Sequence, residues 1–554
     1  MTQKHVNAVV VGAGAGGGIV AKELSEAGLT VVLLERGEWL GFGKHDDDEF
    51  KNQQSTVLGE YGFGPDRRSP RVVETAPGKW QTIRPGEVAG WVYGNNAACV
   101  GSGTVVYGAM GWRFMEQDFQ MRSTYGVLEG STLDDWPIRY ADLEPFYEKA
   151  EWEIGVSGDM TDNPFSPPRR KPYPMPAFSY NTEGRALAAA AKRLGWHPFP
   201  IPMLRNSVPY RNGNACIGRR NCVGFACPIN AKNGTQNTAI PAALATNNCE
   251  LRTNAIAAEI VVDDRGRARG VRYFDVQDRE QFQPADIVVV SGGAMETARL
   301  LLNSKSKLFP NGAGNRHDLV GRNLQDHAYT STWGLFDEEV YDDVGSGATV
   351  AVCDFNHGQP GLRGGAMIAN DFIRLPFGFA GVRPPGAPAW GKAHKDFQRK
   401  YFKRSIVLKA CVQEMPTFEH RVQVDPAVKD HWGIPVVRLG YDKRHPHTIE
   451  IARFVARKAE EWLKAAGAVQ AWSSAIGERA GGSVHQAGTC RMGNDPKSSV
   501  TNPHGQVHDI DNLFIADGSL HVTNGGFNPA LTIMALGFRV GDYIVRQWKG
   551  GGLR

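Results

Sequence analysis

No stretch of this chain stays apolar for the roughly 18 to 20 residues that a membrane-spanning helix needs, so no transmembrane segment is expected. No run of lysine and arginine marks a nucleic-acid or polybasic membrane surface. The 62 basic and 58 acidic residues leave a net charge of only +4, and no nucleic-acid partner is expected. The first residues enter a strand without an apolar signal core, a small-residue cleavage site or a twin-arginine pair. A cytoplasmic location is the expectation, or a periplasmic one if a partner subunit carries the chain across. Cysteine is scarce: eight in 554 residues is too few for a disulfide framework. No internal repeat is visible. Glycine, at 65 residues, is plentiful, which suits a fold whose backbone lies close to a large ligand. The length asks for more than one core, and 42% hydrophobic with 22% charged residues is ordinary globular composition.

The glycines are most informative near the start. The apolar run NAVVV ends at Gly12-Ala13-Gly14-Ala15-Gly16-Gly17, IVAKELSEAG follows with helical periodicity, and TVVLL closes on Glu35. This is a strand, helix, strand unit with Gly12, Gly14 and Gly17 at dinucleotide-binding spacing. The first makes the tight turn, the second admits a pyrophosphate, and the third lets helix pack on strand. The helix N-terminus would face the phosphates. Glu35, 18 residues after Gly17, is placed to accept from ribose hydroxyls.

Further on, residues 41–90 read as an extended polar loop, and the small-residue segment 95–113 as backbone packed on the cofactor. The Pro-rich stretch near 160–180 reads as a domain crossing. Strands are expected over 251–276 and 287–290, then a glycine turn and helix to 303. Alternating strands with one helix near 447–466 fill 340–470, and glycine-rich sequence returns at 481–545. The fold class is therefore α/β, with a nucleotide-binding domain assembled from 1–160, 225–335 and 475–554. A substrate domain takes 161–224 and 336–474.

His485, in VHQAGTCRMG, precedes Asn528, in GGFNPALTIMAL, by 43 residues. A neutral imidazole beside a side-chain amide can remove a hydroxyl proton and hold the alkoxide oxygen while a hydride leaves the carbon. Each residue has a plainer reading. His485 could be a satisfied structural histidine. Asn528 before Pro529 could cap the helix that follows. His521, just before a turn, is a weaker candidate.

The segments GAGAGGG with LLERG, VGSGTVVYGAMGWR, VVVSGGAMETARLLL, GRNLQDH, HQAGTCRMG and FIADGSLHVTNGGFNPALTI, in this order, resemble the glucose–methanol–choline (GMC) oxidoreductases. The resemblance covers nearly the whole chain. It implies FAD, a Rossmann-type flavin domain discontinuous in sequence, and an α+β substrate domain with a mostly antiparallel sheet. It implies His485 as the base delivering chemistry to flavin N5, with Asn528 beside it. It puts Arg36, Gly101, Ser102, Tyr107, Gly108, Ala109, Asp517, Gly518, Asn528 and Pro529 against the cofactor. Asp517 is expected to meet backbone N–H groups or a ribityl hydroxyl. Val106 and Tyr107 stand where some relatives attach flavin through histidine, so non-covalent FAD is expected. CPINAK and NPALTIMAL look closest to the sugar- and polyol-oxidising branch. The reading is oxidation of a secondary alcohol of a sugar, glycoside or polyol, with a dehydrogenase favoured over an oxygen-using oxidase. A flavin lyase or isomerase is the alternative from another class. Glu414, Phe377, Phe379 and Trp390 are candidates for contacting or covering the sugar.

Cys216-x5-Cys222-x4-Cys227-Pro228 leaves three readings open. Short thiolate spacing before proline recurs at iron–sulfur sites, and the resemblance implies a [3Fe-4S] cluster feeding a cytochrome, with a small accessory subunit. The second gap is one residue longer than that pattern. Buried structural cysteines and a zinc site are the alternatives.

Overall fold

The computed structural model describes residues 3–40, 66–85, 87, 93–94, 97–159, 161, 163–480 and 484–553. Its first sheet has seven strands. Val6–Val11 lies at the centre, parallel to Val31–Leu34 on one side and to Glu280–Val290 on the other, and Val31–Leu34 is parallel to Cys249–Arg252. Parallel strands covered on both faces need unbroken apolar sequence. VVLL is buried throughout, as are the last four residues of VNAVVV. Each such valine or leucine contributes roughly 1.5–3 kcal/mol on burial. Beyond this centre the long strand Glu280–Val290 changes partners. Its early part runs antiparallel to Ala268–Phe274, which runs antiparallel to Ile256–Val262. Its last residues are flanked by the parallel strand Leu513–Ile515. The sheet therefore draws strands from three separated stretches of chain, with the C-terminal one arriving last.

The helix Gly17–Glu26 covers this sheet, and the 20-residue helix Ala530–Lys549 packs against it. Ala294–Asn303 follows the glycine turn after Val290.

The second sheet has six strands, all antiparallel, in the order Gln470–Ser473, His327–Leu335, Ser405–Gln413, Ile368–Asn370, Val350–Val352 and Phe199–Pro200. The helix Pro446–Ala465 packs on it through Ile451, Val455, Ala459 and Trp462, one face of a helical repeat. His327–Leu335 alternates: Ala328, Thr330 and Thr332 are buried, whereas Tyr329, Ser331 and Trp333 are half-buried. This strand lies in the second sheet, although residues up to 335 were expected with the first domain. Its period of two, with one face left toward a cavity, is what a sheet covering a ligand requires.

A third, four-stranded sheet joins Val422–Lys429 and Pro435–Leu439 to the hairpin Arg71–Ala76 and Lys79–Ile83. The expected extended loop over 41–90 is corrected by this hairpin, whose strands RVVETA and KWQTI turn tightly at Pro77-Gly78. Residues 41–65, 86 and 88–90 lie outside the described residues. Among the described residues, no helix is long and apolar enough to cross a membrane.

Candidate functional site

A cavity of about 1070 Å³ opens between the first two sheets, at the upper end of the size usual for ligand and cofactor sites. Its floor is the glycine turn. Gly12 has φ +99°, and a Cβ there would sit 2.2 Å from the Ser291 carbonyl oxygen. A Cβ on Gly17 would sit 2.0 Å from the Gly12 oxygen. Gly17 is a packing glycine and does not line the cavity. Gly14 differs: a Cβ there would meet only Ser102, at 3.3 Å or beyond, and its free side faces the cavity. The turn thus presents bare backbone and the N-terminus of helix Gly17–Glu26 to whatever enters, the arrangement suited to a pyrophosphate.

Glu35 lines the cavity from the end of its strand. Its carboxylate accepts from the Ala13 N–H at 2.8 Å and the Gly37 N–H at 3.0 Å, and burial raises its pKa. It clamps the turn while keeping lone pairs for a ribose. Arg36 lies 3.6 Å from Glu296, a carboxylate held low by Arg36, Arg71 and Arg299 around it.

Ser102, Tyr107, Gly108 and Ala109 also line the cavity, as does Val106. Ser102 and Ala109 hold φ +48° and +66°, conformations that cost a non-glycine residue about 1–3 kcal/mol and cluster where backbone must meet a ligand. Gly108 admits Phe372, whose ring would lie 1.9 Å from a Cβ at that position. Tyr107 donates to the Asn233 carbonyl. Gly101 stands behind the cavity wall, where its N–H donates to the Ala13 carbonyl at 2.9 Å and ties the two loops together.

Asp517 is buried and accepts from the Gly293 N–H (2.9 Å), the Thr297 hydroxyl (2.6 Å) and the Ser519 N–H (2.9 Å). Gly518, Pro529 and Ala530 complete this side of the cavity. Pro529 is the N-cap residue of helix Ala530–Lys549, and no side chain caps that helix. The capping reading of Asn528 is therefore corrected: its amide turns the other way, toward His485.

His485 and Asn528 both line the cavity, with Asn528 Nδ2 3.4 Å from His485 Nε2. Around them stand residues that sequence reading missed. Tyr329 Oη lies 2.8 Å from His485 Nδ1 and 3.3 Å from Nε2. His327 Nδ1 lies 3.0 Å from His485 Nδ1. Cys411 Sγ donates to Asn528 Oδ1 at 3.7 Å, and Cys411 stands directly opposite Tyr329 in the sheet. Burial pushes the Cys411 thiol up to about 12 and the Tyr329 phenol well above its ordinary range, so both keep their protons. The Asn528 carbonyl oxygen is thus engaged by a thiol, which leaves its NH₂ pointing at the imidazole. Burial first, and the His327 ring second, hold the His485 pKa well below 6.5. Its imidazole is neutral at physiological pH.

Opposite lies a polar wall: Lys409 and Asp371, an ion pair at 3.0 Å, with Asn370 beside them. Lys409, Cys411 and Tyr329 share one face of the sheet, because Cys411 pairs directly with Tyr329 and Lys409 lies two residues on. The signals in sequence were slight: one lysine interrupting SIVLKACVQ, and the His that ends GRNLQDH.

Five candidates lie elsewhere. Glu414 is buried beneath the sheet, accepting from the Asp326 N–H at 2.6 Å and pairing with Arg444 at 3.0 Å. Phe379 packs on Trp333, Phe397 and Phe402. Phe377 and Trp390 are on the outer surface. A Pro/Gly-rich loop gave these aromatics no periodicity to orient them. His521 is buried between Phe114 and Trp136 and bonds Asn524 at 3.0 Å.

The three clustered cysteines do not suit a cluster. Among the described residues, no group of three His, Cys, Asp or Glu is gathered to hold a metal. Cys216, Cys222 and Cys227 are half-buried free thiols. Cys216 and Cys227 sulfurs accept from the N–H groups of Gly218 and Ala231, both at 3.4 Å. The buried Lys232 ammonium donates to the carbonyls of Cys222 and Phe225, at 2.7 and 2.8 Å. This lysine fills the centre of the loop, and the segment reads as a structural knot.

Profiles described as GMC oxidoreductase match residues 92–329 and 416–537. The chain is 31% identical to 2-methyl-1,2-propanediol dehydrogenase of Mycolicibacterium austroafricanum, covering 98% of this chain and 96% of that one. It is 29% identical to the gluconate 2-dehydrogenase flavoprotein of Pantoea cypripedii, covering 98% and 94%. To the fructose dehydrogenase large subunit of Gluconobacter japonicus it is 26% identical, covering 98% of each. Among solved structures, pyridoxine 4-oxidase from Mesorbium loti matches in fold, with a TM-score of 0.62 and 16% identity over 98% of this chain and 99% of that one.

Proposed function

The chain belongs to the GMC oxidoreductases, enzymes that act on CH–OH groups and use FAD, and from that premise we propose that it is a dehydrogenase for a secondary alcohol of a sugar, glycoside or polyol. FAD, bound non-covalently, would supply the hydride acceptor. The backbone at Gly12 and Gly14 would hold its pyrophosphate, Glu35 its ribose, and the 102–109 loop with Gly518 and Pro529 its ring system.

The chain's own residues do the rest. His485 Nε2 takes the hydroxyl proton. Asn528 Nδ2, held outward by Cys411, donates to the oxygen as negative charge develops there. The donor is oriented before the reaction begins, so no reorganisation is needed. Lys409, Asp371 and Tyr329 offer donors and acceptors to the neighbouring hydroxyls of a polyhydroxylated substrate. A purely hydrocarbon alcohol would leave these groups unpaired, at a cost of about 1–3 kcal/mol each.

The observation that carries this reading is the single cavity in which the glycine turn, the neutral His485 and the amide of Asn528 meet. The names of similar proteins, a propanediol, a gluconate and a fructose dehydrogenase, favour polyols and sugars. The test is anaerobic mixing of the flavin-loaded protein with a panel of sugars, glycosides, polyols and simple alcohols while the visible spectrum is followed. Bleaching by polyols and sugars ahead of simple alcohols is expected. A panel that leaves the flavin oxidised throughout ends the proposal. Turnover without any external acceptor identifies a lyase or isomerase instead.

A further inference from the structure

His327 closes the motif GRNLQDH and opens the strand His327–Leu335. It is 1% exposed and does not line the cavity, so it touches neither substrate nor cofactor. Its ring stands perpendicular to that of His485, with centroids 5.1 Å apart. The two Nδ1 atoms face each other at 3.0 Å. An imidazole nitrogen either carries a proton or presents a lone pair, so one of the two must donate.

Two carbonyl oxygens decide which. His327 Nε2 lies 3.2 Å from the Asn524 oxygen and 3.0 Å from the Gly525 oxygen. A carbonyl only accepts, so the His327 proton is on Nε2. Burial pushes the His327 pKa down, aided by Arg444 and opposed by Asp326, so the ring is neutral and its Nδ1 carries a lone pair. His485 Nδ1 must then carry the proton. Because His485 is also neutral, its Nε2 holds the lone pair.

An independent set of contacts agrees. The Tyr329 oxygen lies 2.8 Å from His485 Nδ1, in place to accept from the same N–H. The Asn528 NH₂, a donor only, faces His485 Nε2. The same turn also anchors the base from behind, since Asn524 Nδ2 donates to the His485 carbonyl at 2.7 Å.

We propose that His327 is a positioning residue that locks His485 in its Nδ1–H tautomer and so aims the Nε2 lone pair into the cavity. The carbonyls of Asn524 and Gly525 serve as the fixed end of the relay. The logic is that of an orienting partner behind a catalytic imidazole, here filled by a neutral histidine where a carboxylate is usual. A neutral partner leaves the base uncharged and its pKa low.

The inference rests on the reading of His485 as the base, and the tests separate the two. His327→Leu removes the histidine acceptor of the His485 Nδ1–H and leaves only the Tyr329 oxygen beside it. His327→Asn keeps one, because the asparagine Oδ1 falls where Nδ1 lies. Both variants are compared with His485→Ala for flavin content, kcat and KM. Leucine is expected to retain flavin, to lower kcat about 10²-fold or more, and to change KM by less than about threefold. Asparagine is expected to recover most of that loss. Leucine within about threefold of the parent kcat, or asparagine as slow as leucine, overturns the tautomer lock while leaving His485 as base. Full activity in His485→Ala overturns the base reading and the lock with it.

The unsubstituted protein gives a measurement free of folding effects. Nitrogen-labelled histidine spectra, assigned by subtracting the His485→Gln spectrum from the parent's 15-histidine pattern, report which ring nitrogen carries the proton. Protonated Nδ1 at 485 and protonated Nε2 at 327 are expected. Protonated Nε2 at 485 refutes the proposal.

Discussion

The two halves of the cavity are built in opposite ways. The nucleotide side is backbone: a turn of glycines, two residues at positive φ, and carboxylates that serve mainly to pin N–H groups. The proposed catalytic side is side chain. His327 and Tyr329 come from one strand, Lys409 and Cys411 from another, His485 from a loop and Asn528 from a helix entrance. Backbone cradles tolerate almost no change because a Cβ has nowhere to go. Side-chain walls tolerate shape changes but depend on which atom carries each proton. Substitutions on the first half should therefore remove the flavin, and substitutions on the second should spare it while slowing the chemistry.

The contrast breaks most visibly at glycine. Gly12→Ala puts a Cβ 2.2 Å from the Ser291 oxygen in a strained backbone. Loss of bound flavin and a destabilisation of about 3 kcal/mol or more are expected, measured by absorbance and denaturant melting. Gly14→Ala meets only Ser102 at 3.3 Å. It should fold with near-parental stability and weaken flavin about tenfold or more, since the new methyl points where the pyrophosphate would lie. Equal behaviour of the two variants would contradict the division into a packing glycine and a ligand-facing one.

On the other half, Asn528→Ala should keep its flavin and lose about 10²–10³ in kcat, the usual effect of removing one preorganised donor. Its helix has no side-chain cap to lose, so the melting temperature should hardly move. A large stability loss would return Asn528 to the role of a cap.

The pH profile sharpens the comparison further. His485 must be neutral to act, and its pKa lies well below 6.5. Activity is lost only as pH falls through that lowered value. The groups facing the pair are Asp326, which raises the His327 pKa, and Arg444, which lowers it, with Tyr329 and Cys411 protonated throughout. A plot of kcat/KM against pH should stay flat from neutrality down past 6.5. A limb at or above 6.5 would mean a solvated imidazole, and the buried arrangement would be wrong.

This division also explains what was legible in sequence. Gly12, Gly14, Gly17 and Glu35 lie within one strand, helix, strand unit, so spacing alone carries their geometry. His485 and Asn528 stood out because each sits in a short glycine-rich motif, HQAGTCRMG and GGFNPALTI, that reads without any long-range pairing. His327, Tyr329, Cys411 and Lys409 did not, because a strand's period of two shows which residues share a face but not what that face meets. Their meeting depends on the antiparallel register of His327–Leu335 with Ser405–Gln413, a pairing across roughly 80 residues that no local pattern encodes. The hairpin at 71–83 was missed for a related reason, since its partner strand lies at 435–439.

Lys409 gives the smallest and most selective effect. It sits at the rim of the wall, with 42% of its side chain exposed and Asp371 at 3.0 Å. Lys409→Met preserves length and apolar stem but removes three donors and the partner of Asp371. Because the pair is only partly covered, on the cavity side, its contribution to stability is about 1 kcal/mol, and the fold should change little. Substrate should not be. For a polyol or sugar, KM is expected to rise about tenfold, the worth of one lost hydrogen bond to a charged group, with kcat nearly unchanged. A simple secondary alcohol, which has no neighbouring hydroxyl for the ammonium to hold, should show no such rise. Trp390→Ser, on the outer surface at 84% exposure, is the control that should leave KM alone. If Lys409→Met and Trp390→Ser prove alike on every substrate, the polar wall does not read hydroxyl groups, and the selectivity must come from the half of the cavity nearer the flavin.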